Sequence, residues 1–320
     1  MTTIRQVLCA TDLSQASEPA WDEAQRLARL FGAELVLLHV VPPLPIPLEG
    51  YFPPQMYQEL VEGASREAQE ALEGLLARMA DPRVKARARV EEGAAAQRIL
   101  DVAREESADL VVVGTHGRTG FGRILLGSIA DRVVRVAPCP VLTVRPRPTA
   151  AAPAAPAITR ILYATDFSPS ARAAWPWVVA LAEAASAEVD LLHVTAQPVP
   201  DRHLAPDVVG RMAQLLEEHG QTEAERFVQH WEQSRRAPGA EPRGLTRDRI
   251  HVLIGRGVVP EQIVHWAQSR SANVIVMGTH GWSGLLRWML GSVAHQILQT
   301  APCPVLTVGP EGGEEHPHAS

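Results

Sequence analysis

Lysine is nearly absent from this sequence: of its 30 lysine and arginine residues, only Lys85 is a lysine. That excludes chemistry built on an amine. No lysine follows a glycine-rich loop to hold phosphates, and none stands near one to form a Schiff base. Cysteine is scarce as well. Cys9, Cys139 and Cys303 make no even framework and no CxxC pair, which excludes a disulfide scaffold and a zinc site and fits a reducing cytoplasm. Long apolar runs are missing. None reaches the ~18 residues of a membrane span, and the opening MTTIRQVLCATDLS has no signal-peptide core, so no membrane is expected and the location expected is cytoplasmic. Basic charge is not in excess either. At a net charge of −6 no nucleic-acid partner is expected, because such a partner calls for a basic stripe against its phosphates. The run Arg83, Lys85, Arg87 and Arg89 alternates as the polar face of a strand does.

What is present is repetition. A chain of 320 residues, 46% hydrophobic and 21% charged, suits two globular domains of about 150 residues each. IRQVLCATDLS at 4–14 returns as ITRILYATDFS at 158–168, and ELVLLHV at 34–40 as EVDLLHV at 188–194. GTHGRTGFGRILLGSIA at 114–130 returns as GTHGWSGLLRWMLGSVA at 278–294, and APCPVLTV recurs unchanged at 137–144 and 301–308. The blocks keep their order, and the spacing differs only by an insertion in the second copy between Val194 and Gly257. A unit of this length is a whole domain. The expected division is a first domain at 1–146, a Pro/Ala linker at 147–157, a second domain at 158–309 and a polar tail at 310–320.

Within each copy, short apolar runs alternate with longer amphipathic stretches. VLCA, ELVLLHV, VKARARVEE, DLVVVG and PVLTV read as strands in the first copy, with helical spacing over 17–31, 54–79, 95–107 and 127–136. Nearly continuous Val/Leu strands point to a parallel sheet buried on both faces. The fold class expected is α/β: two tandem Rossmann-like, doubly wound domains, each a five-stranded parallel sheet flanked by helices. In that architecture ligands bind beyond the carboxyl ends of the strands. The repeated polar signatures fall there: Thr11-Asp12 after the first strand and Gly114-Thr115-His116-Gly117 after the fourth, with Thr165-Asp166 and Gly278-Thr279-His280-Gly281 in the second copy.

The loop Gly114-x2-Gly117-x9-Gly127-Ser128 follows an apolar strand and opens a helix, and the second copy repeats it with Gly278, Gly281, Gly291 and Ser292. A phosphate chain needs close backbone approach, N–H groups aimed at it and a helix N-terminus behind. A glycine at 127 would give the phosphates room, and Ser128 would cap the helix or donate its hydroxyl. The alternative is that these glycines only make turns. For Asp12 and Asp166 the alternative is a turn or N-cap role. His116 and His280 are expected to bond local backbone, and His39 and His193 to be buried and satisfied.

Taken together, the ATD-x-S end of the first strand, the LLHV second strand, the G-x2-G-x9-G-S loop and the PCPVLTV last strand resemble the ATP-binding branch of the universal stress protein family. The resemblance covers all but the linker and tail. It implies strand order 3-2-1-4-5 and an adenine nucleotide between strands one and four. It also implies association through the last strands and a role in stress-linked regulation. Asp12 and Asp166, with Thr11 and Thr165, match the nucleoside-contacting positions, and Val40 and Val194 the adenine edge, where only backbone would act. Val113, Gly114, Gly117, Arg118, Gly127, Ser128 and Ile129 match the phosphate and ribose loop, as do Met277, Gly278, Gly281, Gly291, Ser292 and Val293. The ligand implied is ATP, with Mg²⁺ carried by the nucleotide and no protein metal site. The partners implied are the two domains themselves, as an intramolecular pseudo-dimer, or a second chain as a homodimer.

The copies diverge in this loop. The first has Arg118 and Arg123; the second has Trp282 and Trp288 and keeps Arg287. The stronger phosphate site is therefore expected in the first copy, with 42–54 as a candidate lid. No base is fixed by a second partner, so no catalytic residue is assigned and hydrolysis is expected to be slow or absent. The rival readings are a nucleotide-free scaffold and an ATP-using enzyme; the SGGxDS, HIGH and KMSKS motifs of such enzymes do not occur.

Overall fold

The computed structural model describes residues 2–43, 54–79, 81–115, 126–146, 157–195, 206–235, 244–281 and 290–309. The chain divides into two compact units, Thr3–Ala155 and one beginning at Pro156. The first unit runs β1 (Gln6–Ala10), α1 (Glu18–Phe31), β2 (Glu34–Val41), α2 (Pro54–Ala77), β3 (Ala86–Glu92), α3 (Ala95–Glu105), β4 (Leu110–Gly114), α4 (Ser128–Val136) and β5 (Val141–Val144). Its strands are parallel in the order β3-β2-β1-β4-β5. The second unit runs β6 (Arg160–Ala164), α5 (Pro169–Ala173), α6 (Trp175–Ala185), β7 (Glu188–Thr195), α7 (Pro206–Arg235), β8 (Ile250–Arg256), α8 (Val259–Ser269), β9 (Val274–Gly278), α9 (Ser292–Thr300) and β10 (Val305–Val308). Its order is β8-β7-β6-β9-β10, again parallel. Each unit is a doubly wound α/β domain.

The Val/Leu strands are buried because helices cover both faces. Val7, Leu8, Leu35, Leu37, Val111 and Val112 in the first unit are at most 1% exposed, each worth about 1.5–3 kcal/mol of transfer free energy. Helix α1 lies on β1 and β4, α2 on β2 and β3, and α3 packs beside α4. The basic alternation falls on and just before β3, as read from sequence, and it is neutralised locally. Arg87 pairs with Glu106, and Arg89 with Glu91, Glu105 and Glu106.

Where the first unit keeps one continuous helix over 18–31, the second breaks it at Ala174, between α5 and the proline-bearing start of α6. A second difference lies in the core. Val36 of β2 corresponds to Asp190 of β7, which is fully buried. Its carboxylate accepts a bidentate pair from Arg270, Nε at 3.0 Å and Nη2 at 2.9 Å, and a further bond from Arg160 Nη1 at 3.1 Å. A charge in that position is tolerable only because both oxygens are engaged.

Candidate functional site

The first strand of each unit ends in the same turn. In the first, Thr11 Oγ1 accepts from Leu13 N at 3.0 Å, and Asp12 Oδ1 accepts from Ser14 N at 3.0 Å and Ser14 Oγ at 2.6 Å. In the second, Thr165 Oγ1 accepts from Phe167 N at 2.9 Å and Asp166 Oδ1 from Ser168 N at 3.0 Å. Between them Leu13 and Phe167 are forced to φ of 62° and 59°, a left-handed conformation that costs a non-glycine residue roughly 1–2 kcal/mol. The turn role of the aspartates is therefore realised through Oδ1. Strain at the same point in both units holds the aspartates at the carboxyl end of the sheet.

The histidines of the second strands brace this turn. His39 Nδ1 lies 2.8 Å from the Thr11 carbonyl and His193 Nδ1 2.9 Å from that of Thr165. A carbonyl only accepts, so the proton sits on Nδ1. His39 is buried and His193 half-buried. Val40, Val113 and Met277 bury their side chains at 8%, 3% and 6% exposure, leaving only backbone for a ligand. Val194 is half-buried.

The loop after the fourth strand is pinned at its base. Gly127 N donates to the Thr115 carbonyl at 2.8 Å, and Gly291 N to that of Thr279 at 2.9 Å. A Cβ on either glycine would stand 3.1 Å from that same carbonyl oxygen. The strand end thus closes in on one side of Gly127, where an added Cβ would make a tight contact that the Thr115 carbonyl must yield to by a few tenths of an ångström. Gly278 is closed in likewise, since a Cβ there would meet Ser170 backbone at 2.8 Å. Gly127 and Gly291 occupy the N-cap positions, and no side chain caps either helix. Ser128 and Ser292 are thus first helical residues with exposed side chains, not caps. Ile129 is 45% exposed beside Ser128, and Val293 is half-buried.

In the second unit the two motifs meet. A Cβ on Gly281 would lie 2.7 Å from Asp166 Oδ2, so the aspartate after β6 reaches over the glycine after β9, across adjacent strands. Next to it, His280 Nδ1 bonds Thr279 Oγ1 at 2.8 Å, a hydroxyl where backbone was expected. Its Nε2 is buried with no hydrogen-bond partner among the described residues. Gly117, Arg118, His116 and Arg123, together with Trp282, Arg287 and Trp288, lie outside the described residues, as does most of 42–54. The turn strain at Leu13 and Phe167 was not read from sequence; two bulky residues in register after ATD were its only signal.

Two of the thiols are poor nucleophiles. Burial pushes Cys9 far above the usual thiol range and Cys139 up to about 12. No helix among the described residues is long and apolar enough to cross a membrane.

Known proteins align with this architecture. The profile described as the universal stress protein family matches residues 3–145 and again 157–309. A universal stress protein of Mycolicibacterium smegmatis is 29% identical over 95% of this chain and 97% of its own length. One from Methanocaldococcus jannaschii is 38% identical over 44% of this chain and 82% of its own. Among solved structures, a universal stress protein from Archaeoglobus fulgidus shares the fold at TM-score 0.60 and 20% identity, covering 95% of this chain and 98% of that one. With the profile matched twice, over nearly all of both repeats, the chain belongs to the universal stress protein family.

Proposed function

We propose that each unit binds ATP between its first and fourth strands, and that the protein is a regulatory nucleotide binder in the cytoplasm with slow or absent hydrolysis. The observation that carries this reading is the convergence of Asp166, Gly281 and the unpartnered His280 Nε2 at one place, beyond the carboxyl ends of β6 and β9. The residues fit the ligand. The aspartates would hold the ribose, backbone at Val40 and Val194 the adenine edge, and the exposed hydroxyls and N–H groups at Ser128 and Ser292 the phosphates. Mg²⁺ would come with the nucleotide, neutralising phosphate charge.

Mass spectrometry of freshly purified, denatured protein tests the reading directly. Co-purifying ATP or ADP supports it; protein that carries no nucleotide and shows no heat on ATP titration sinks it. The pairing of repeats through their last strands, implied by the family resemblance, is part of the same proposal. Halves expressed separately should self-associate through those strands, and halves that remain monomers when mixed count against it.

A further inference from the structure

We infer that the first unit carries a second ligand site, bordering the Thr11–Ser14 turn on the side of α1 and α2 and apart from the glycine loop, that takes a planar aromatic molecule of one or two rings. A cavity of about 520 Å³ opens between the Thr11–Ser17 turn, the start of α1 and the C-terminal half of α2. That volume lies within the roughly 300–1,000 Å³ of small-molecule sites. Its apolar walls are Leu13, Trp21, Ala71 and Leu75.

The second unit shows what this volume is shaped to hold. The deeply buried pairs Ala68/Leu72 of α2 and Ala224/Val228 of α7 share one spacing and bring the two helices into register. In that register Ala71 corresponds to Phe227 and Leu75 to Trp231, while the repeated first strand and turn match Cys9 to Tyr163, Leu13 to Phe167 and Trp21 to Trp175. The second unit fills the space with rings. Phe227 packs on Trp175 at 5.2 Å, on Phe167 at 5.9 Å and on Tyr163 at 6.3 Å, and Trp231 meets Trp175 edge-on at 5.4 Å. The first unit keeps the tryptophan and replaces the other four rings with smaller side chains.

The polar residues change in the same direction. Ser17 stands where the second unit has Ala171, and its hydroxyl lies 2.8 Å from Thr11 Oγ1 on the cavity floor. Glu18 and Arg78 stand at the edge where the second unit has Arg172 and Ser234. Arg172 there covers the Phe227 ring at 5.4 Å. Removing rings while adding the Ser17 hydroxyl and charges of both signs at the edge makes a site for a flat, apolar molecule bearing hydrogen-bonding groups, neutral or zwitterionic.

Calorimetric titration of the full chain with indole, in the absence and presence of saturating ATP, tests this. One indole per chain is expected, with an affinity that ATP leaves unchanged. Ala71→Phe, which writes the second unit's ring into an exposed helix position, should weaken binding at least tenfold while thermal unfolding shows the fold intact; Leu75→Trp should do the same. No binding at millimolar indole, displacement of indole by ATP, or unchanged binding to either folded variant would overturn the inference.

Discussion

The two units of this chain hold the same turn with different supports. The geometry after the first strand repeats closely: φ of 62° and 59° at Leu13 and Phe167, and histidine-to-carbonyl distances of 2.8 and 2.9 Å. What packs beneath the turn does not repeat. The second unit places five aromatic rings and a buried carboxylate there and in its core, and the first has one tryptophan, a cavity and Val36. The lesson is that backbone hydrogen bonds and local side-chain-to-backbone bonds carry the site's shape. Core volume and the helix layer are free to diverge around it.

The comparison can be broken most forcefully at Trp175 and Trp21. Each is 6% exposed, but among the described residues rings pack on Trp175 and none on Trp21. Trp175→Ala should destabilise the second unit by about 3–5 kcal/mol, and Trp21→Ala should cost the first unit at least ~1 kcal/mol less, because one side already faces a cavity. Chemical denaturation of each variant, followed by circular dichroism, checks the difference; equal losses would remove the distinction between the packed and open supports.

Nearly as large is the effect expected at Asp190. Asp190→Ala leaves the Arg160 and Arg270 guanidiniums without their shared partner and should cost about 3 kcal/mol. Val36→Ala in the first unit should cost roughly half of that. Differential scanning calorimetry reads both, and an Asp190→Ala loss below that of Val36→Ala would mean the buried carboxylate is dispensable.

The two nucleotide sites sharpen the comparison further. Asp12→Ala and Asp166→Ala each remove the proposed ribose contact and should weaken ATP at one site about tenfold, at roughly 1.4 kcal/mol per decade. With Arg118 and Arg123 against Arg287, the intact first site is expected to bind about tenfold tighter, a charge-assisted bond to phosphate being worth roughly 1.5–3 kcal/mol. Titration of the Asp166→Ala variant, which reports on the first site, should therefore show the tighter binding. Equal affinities in the two variants would assign the arginines to solvent.

The smallest effect concerns the thiols. With Cys9 raised by burial and Cys139 raised to about 12, neither holds appreciable thiolate below pH 9. Iodoacetamide on the native protein at pH 8 should leave both unmodified for hours. Rapid labelling of Cys9 would show that the first unit opens at β1 more readily than its packing indicates.

The sequence by itself determined the repeat, the fold class and the ends of most elements. Val/Leu runs bounded by polar turns cannot bury their surface except in a parallel sheet covered on both faces. It also placed Asp12, Asp166, Gly114 and Gly278 at the carboxyl end of the sheet. It could not say what each glycine is for, because a missing side chain looks the same whether a phosphate or a carbonyl oxygen takes the space. Nor could it pair Asp166 with Gly281, or Ala71 with Trp21, since those residues lie far apart in the chain and approach only when strands and helices pack. The aromatic cluster of the second unit and the cavity of the first are likewise products of tertiary structure. Both follow from which helix face meets the turn, and that is set by how α2 packs on β2 and β3, and α7 on β7 and β8, not by any local pattern.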